Sequence, residues 1–129
     1  LTIDEVAMQF PRVKFVIAHC GNPWILDAME VVAKDPNVYV DLSGLLEGRF
    51  DGAVFYEKHR DYFRYMRMWL DYVNRYDKVI YGTDWPLINI RSYIDVMKLV
   101  IPEAHYQEFF YDNARRVFSK INPLLPKEE

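Results

Sequence analysis

The run Val13-Lys14-Phe15-Val16-Ile17-Ala18-His19-Cys20-Gly21-Asn22-Pro23 decides the fold class. From Val13 to Ala18 it is apolar and largely β-branched, interrupted only by Lys14, which suits a strand covered on both faces. A polar imidazole follows at once, at His19. Gly21-Asn22-Pro23 then reads as a turn, with Asn22 as N-cap and Pro23 at the first helical position. The helix it starts carries Ile25, Ala28, Met29 and Val32 as one apolar stripe and stops at Asp35-Pro36-Asn37.

The same strand-then-helix unit recurs outward from this run. Before it lies a short amphipathic helix using Ile3, Val6, Ala7 and Phe10, ended by Pro11. After it, Val38 to Val40 begins a second strand closed by Asp41-Leu42-Ser43-Gly44, and the next dozen residues read as a loop. From about Tyr62 to Tyr76 a helix turns Tyr62, Tyr65, Met66, Trp69, Leu70 and Val73 inward, with Arg64, Arg67, Asp71 and Arg75 outward. Val79-Ile80-Tyr81 is a third strand, ending in Gly82-Thr83-Asp84. Ser92 is expected to cap a helix bearing Tyr93, Ile94, Met97 and Ile101. A last helix uses Tyr106, Phe109, Phe110, Asn113, Ala114, Val117 and Phe118, and the tail after Ile121 is expected to fray. The alternation predicts an α/β chain of parallel βα units forming a single domain over 1–129. Buried-type strands need neighbours on both edges, so either the domain is very small or its other strands lie elsewhere.

Composition narrows the function classes. The 129 residues are 51% hydrophobic, 27% charged and 16% aromatic, an ordinary globular balance with ample core material that excludes disorder and coiled coils. The formal net charge of −3 gives no overall attraction to nucleic acid or to an anionic membrane, so neither is expected as a partner. The single cysteine, Cys20, has no internal disulfide partner, and no long apolar run appears. A soluble, reducing, cytoplasmic setting is the expectation.

Parallel strands end on the same side of a sheet, and sites in α/β folds gather at those carboxyl ends. His19, Asp41 with Ser43, and Asp84 each occupy such an end. An imidazole and carboxylates arriving together suit a divalent metal or a general acid/base pair. Asp41, closing a strand before Ser-Gly, reads more readily as a turn residue accepting backbone N–H groups. The simpler alternatives for His19 and Asp84 are a hydrogen-bonded core-edge histidine and a turn or N-cap aspartate. A Cys20-His19 nucleophile pair is set aside because neighbours in extended chain project to opposite faces. His59 and His105 read as solvated, and Trp24 and Trp85, each soon after a candidate residue, suit either a pocket wall or helix packing.

Four stretches carry a resemblance: Phe10-Pro11-Arg12-Val13-Lys14-Phe15-Val16-Ile17-Ala18-His19-Cys20-Gly21, Asn37-Val38-Tyr39-Val40-Asp41-Leu42-Ser43-Gly44, Val79-Ile80-Tyr81-Gly82-Thr83-Asp84-Trp85-Pro86 and Asn113-Ala114-Arg115-Arg116-Val117-Phe118. In this order they resemble the carboxyl-terminal part of the amidohydrolase-related family of metal-dependent TIM-barrel enzymes. The resemblance implies a partial (β/α)8 barrel, with the three strands as the sixth, seventh and eighth. A whole barrel takes roughly 250 residues. It implies that Asp84 matches the eighth-strand aspartate, a metal ligand that takes a proton from the attacking water. His19 matches the sixth-strand histidine, a second-metal ligand or acid/base, and Asp41 with Ser43 match a recurring seventh-strand segment. Zinc is the implied ion, with manganese as the variant, and a small molecule the implied substrate, with Trp24 and Trp85 as candidate contacts; a homo-oligomer is compatible with it. The implied activity is hydrolysis by attack of an activated water on a carbonyl-type carbon, with nonoxidative decarboxylation as the family's other branch. The family's His-x-His pair is not in this sequence, so these residues by themselves are expected to bind a catalytic metal poorly. A noncatalytic α/β binding or assembly module is the remaining alternative.

Overall fold

A computed structural model of the chain describes residues 2–125. Among these residues three strands form one parallel sheet in the order β1-β2-β3: β1 Phe15–Ile17, β2 Val38–Asp41 and β3 Val79–Ile80. Phe15 pairs with Val38 and Ile17 with Val40, and Val40 pairs with Val79 and Asp41 with Ile80. All three strands therefore end on one side, as the alternation predicts. β1 is shorter than expected and half-buried throughout, and no strand covers its outer edge among the described residues.

Among the described residues six α-helices accompany the sheet: α1 Thr2–Gln9, α2 Ile25–Lys34, α3 Gly52–Lys58, α4 Arg60–Val73, α5 Ile90–Val100 and α6 Asn113–Val117. The core joins Met29 and Val32 of α2, Val38 and Val40 of β2, Phe63, Met66 and Leu70 of α4, Tyr93, Val96 and Met97 of α5, and Phe109. At roughly 25 cal/mol per Å² of apolar surface removed from water, this mixed face is the main source of stability. Lys78 is buried with it. Its ammonium donates to the carbonyls of Val32 (2.8 Å) and Asp35 (2.6 Å), closing the carboxyl end of α2, and burial lowers its pKa.

Several expectations change in detail. The segment read as a loop contains α3, capped by the Asp51 carboxylate on the Val54 N–H at 2.9 Å. On α4, Phe63 is fully buried and Tyr65 is turned outward, 42% exposed. The N-cap of α5 is Asn89, whose side-chain oxygen accepts the Ser92 N–H at 3.0 Å; Ser92 lies inside the first turn. Pro23 lies outside α2, which begins at Ile25 after Trp24. Phe10 is exposed. Residues 119–124 form a 3-10 turn, while the rest of the tail expected to fray, 126–129, lies outside the described residues.

The last helical segment is not uniform. A 3-10 turn, Glu103–His105, leads to a π-helical turn, Glu108–Asp112, where the Asn113 N–H reaches back to the Glu108 carbonyl. The Phe109 carbonyl accepts the N–H of Tyr81, just past β3, at 3.1 Å. The turn also seats Asn113, fully buried, so that its amide donates to the carbonyls of Tyr76 (2.7 Å) and Val79 (2.8 Å). Replacing Asn113 by Ala removes the amide donor from the Val79 carbonyl, while the Tyr76 carbonyl keeps the Val79 N–H. The expected destabilisation is about 2 kcal/mol, measurable as a lowered urea midpoint at unchanged slope.

Candidate functional site

The carboxyl end of β1 does not continue as extended chain. His19, Cys20 and Gly21 have φ of 57°, 51° and 69°, a left-handed run that side chains rarely adopt and that costs on the order of 1–2 kcal/mol per non-glycine residue. Two features hold it. The His19 N–H donates to Asp41 Oδ1 at 3.1 Å, and the His19 ring fits over Gly44, where a Cβ would overlap it.

Asp41 Oδ1 also accepts the Ser43 N–H (2.9 Å) and the Ser43 hydroxyl (2.5 Å). The turn reading of Asp41 therefore describes what it does, and the turn reaches the histidine as well. His19 Nδ1 lies 2.8 Å from the Ser43 carbonyl oxygen and 3.0 Å from Ser43 Oγ. A carbonyl only accepts, so Nδ1 carries the proton, and Nε2 presents its lone pair with no partner among the described residues. An orienting bond at one ring nitrogen is how a histidine is set up to ligate or exchange a proton through the other.

The third strand end joins through the same serine. A Cβ on Gly82 would sit 2.9 Å from Ser43 Cβ and 3.8 Å from the Asp41 carboxyl carbon. Asp84, two residues beyond, has φ of 63° and is exposed; its carbonyl accepts the Leu87 N–H at 3.2 Å. Its carboxylate has no hydrogen bond or ion pair among the described residues, and Asn89 rather than Asp84 caps α5. The N-cap alternative for Asp84 is thereby removed.

Cys20 is fully buried with its sulfur 3.8 Å from the Met29 sulfur, and burial, aided by the Asp41 charge, pushes its thiol up to about 12. It is packing, for a reason other than the extended geometry expected. Trp24 and Trp85 are each 69% exposed and line different cavities. Trp24 borders one of about 140 Å³ with Ile3, Gly21 and Ala28, and Trp85 one of about 490 Å³ beside the loop after β3. Gly44 was not legible as a site residue; its one sequence signal is its place directly after the Asp-Leu-Ser turn.

No group of three His, Cys, Asp or Glu side chains suited to a metal occurs among the described residues, and no helix there is long and apolar enough to cross a membrane. Solved structures share the fold. An uncharacterized TIM-barrel protein from Bordetella bronchiseptica is similar over 93% of this chain and 39% of its own, at 21% identity and TM-score 0.62. An amidohydrolase from Burkholderia multivorans with bound zinc matches over 91% of this chain and 48% of its own, at 16% identity and TM-score 0.63. Amidohydrolase 2 from Bifidobacterium longum subsp. infantis matches over 91% and 44%, at 24% identity and TM-score 0.59. The chain thus spans less than half the length of these structures, and its fold is part of a TIM barrel. No curated protein matches the sequence. The sequence profile of the amidohydrolases matches residues 1–120, and with that match the chain belongs to the amidohydrolase family.

Proposed function

We propose that the whole protein is a metal-dependent hydrolase acting on a small molecule with a carbonyl-type centre, and that His19 and Asp84 are this chain's contribution to its catalytic site. The observation that carries the reading is the pinned His19 ring, with Nδ1–H given to the Ser43 carbonyl and Nε2 left open at the carboxyl ends of the strands. The donor set suits a divalent ion of the zinc class, since a neutral imidazole nitrogen and an ionised carboxylate are both ordinary zinc ligands. Two donors are fewer than the roughly three protein ligands of a catalytic zinc, so the remainder would come from other strands of the barrel. When bound, such an ion lowers the pKa of water to about 7 and polarises a carbonyl oxygen.

The chain's own residues then have distinct tasks. Asp84 accepts the proton lost by the attacking water and holds that water's remaining hydrogen-bond direction. His19 Nε2 either completes that donor set or, left uncoordinated, takes up or returns a proton on the leaving group; in both roles Nδ1–H stays committed to Ser43. Asp41 keeps the serine and the His19 backbone in place through its three accepted bonds.

The test uses the full-length protein. Atomic emission should find about one equivalent of Zn²⁺ or Mn²⁺ per chain, removed by chelator together with turnover of a panel of aryl esters and lactones and restored with it by Zn²⁺. Full turnover in the metal-free protein would overturn the reading.

A further inference from the structure

The turn that holds His19 is itself held, by a residue far along the chain. Leu42 continues the sheet beyond β2, its N–H donating to the Ile80 carbonyl at 3.0 Å. Its carbonyl accepts the hydroxyl of Tyr93, and that hydroxyl in turn accepts the Leu45 N–H at 3.3 Å. In an ordinary four-residue turn the first carbonyl takes the fourth N–H directly. Here one phenolic oxygen stands between the two groups and bonds both, so Tyr93 sets the separation of Leu42 from Leu45.

The two residues inside that span are the ones that meet the imidazole. The Ser43 carbonyl accepts Nδ1–H at 2.8 Å, and the His19 ring lies over Gly44. Asp41 fixes Ser43 from the amino-terminal side, through the Ser43 N–H and hydroxyl. None of its bonds reaches past Ser43. The carboxyl-terminal anchor of the turn is Tyr93.

Tyr93 itself has little freedom to move. It is fully buried in the first turn of α5, where its N–H donates to the Asn89 carbonyl at 3.1 Å. Its ring meets the ring of Tyr81, just past β3, edge-on with 6.3 Å between centroids. Beside it the Ser92 hydroxyl donates to the Phe50 carbonyl at 2.6 Å, tying the start of α5 to the chain that follows β2. A tyrosine has only two side-chain torsions to fix, so a hydroxyl on a packed ring is an anchor of low entropic cost. Burial pushes its phenol up, so the hydroxyl keeps the proton it gives to Leu42.

We infer that Tyr93 is a positioning residue for His19: its hydroxyl holds Leu42 and Leu45 at the spacing that aims the Ser43 carbonyl at Nδ1, which keeps the ring proton on Nδ1 and the lone pair on Nε2. The link from Tyr93 to the tautomer stands on these contacts. Only its effect on turnover rests on the function proposed above.

Tyr93→Phe removes one oxygen and keeps the ring. The full-length protein, stripped of metal and labelled with nitrogen-15 histidine, gives the first readout. Wild-type His19 should show the nitrogen shifts of a ring protonated on Nδ1, and in Tyr93→Phe they should move toward the averaged values of exchanging tautomers. With metal restored, kcat on the aryl ester or lactone turned over fastest should fall about tenfold and KM stay within about twofold, the fold-change of one lost hydrogen bond of about 1.4 kcal/mol. Asn113→Ala controls for lost stability, because it removes a core bond at the amino end of β3, away from the turn. It should leave the His19 shifts and kcat at their wild-type values, and circular dichroism checks that each variant is folded. Unchanged shifts in Tyr93→Phe would overturn the positioning role, as would shifts that move equally in Asn113→Ala. A Tyr93→Phe protein that does not fold would overturn it too, since the hydroxyl would then support the whole core rather than the turn. Moved shifts with undiminished kcat would uphold the positioning and remove His19 from the catalysis proposed above.

Discussion

In the full-length protein, Asp84→Asn should reduce turnover by about 10³-fold or more, the scale expected when a carboxylate that both ligates and accepts a proton becomes a neutral amide. The fold should survive unchanged. Asp84 is exposed in the loop after β3, its carboxylate makes no bond to the described residues, and the contact it does make, to the Leu87 N–H, uses the backbone carbonyl. Asparagine also tolerates the left-handed φ of 63° that this position requires. Turnover and thermal midpoint measured on the same preparation decide the matter: near wild-type rates would show that the carboxylate has no part in the chemistry.

Gly44→Ala should have the second-largest effect although residue 44 touches no substrate. Its φ is 59°, and an added Cβ would overlap the His19 ring. Either the imidazole leaves its place against Ser43 or the Asp41-Leu42-Ser43 turn shifts beneath it. The first outcome removes the Nδ1–H bond that sets the tautomer, the second disturbs the Asp41 hub. We expect turnover to fall by about 10²-fold, the lower range for loss of a positioned acid/base, with a destabilisation of about 2 kcal/mol from backbone strain and overpacking together. Gly48→Ala gives the comparison for stability, because its φ is 85° and nothing lies within 4 Å of the added Cβ. Its smaller shift in melting midpoint measures the backbone part alone. Nitrogen chemical shifts of the His19 ring report the tautomer directly.

The parts of this architecture that follow periodic patterns were legible in the sequence. Unbroken apolar runs at Val38–Val40 and Val79–Ile80 and the stripe of α2 depend on burial alone, which the residue types announce. The placement of His19 and Asp41 at the carboxyl ends of β1 and β2 followed from parallel topology, whereas Asp84 lies four residues past β3, in the loop that follows it. Less regular features were hidden. α3 begins at Gly52, a poor helix former, because a side chain there would collide with Asp95 of α5: its Cβ would lie 2.8 Å from the Asp95 Cβ. The left-handed run at His19-Cys20-Gly21 contradicts the intrinsic preference of two of its three residues and exists because Asp41, distant in sequence, accepts the His19 N–H. Tyr65 and Phe63 exchanged roles on α4 because the buried stripe runs through Phe63, Met66 and Leu70, a choice between two aromatic positions that periodicity alone does not make.

The π-helical turn Glu108–Asp112 makes the protein sensitive to the number of residues in that segment more than to their identity. Removing one would let the helix wind regularly, yet each position downstream would swing by about 100° around the axis and retreat by about 1.5 Å. Asn113 would then miss the carbonyls of Tyr76 and Val79, and the Phe109 oxygen would be drawn back into the helix and away from Tyr81. Side-chain replacements at exposed sites in this turn are tolerable variation, whereas a one-codon deletion there detaches the terminal helix from the sheet.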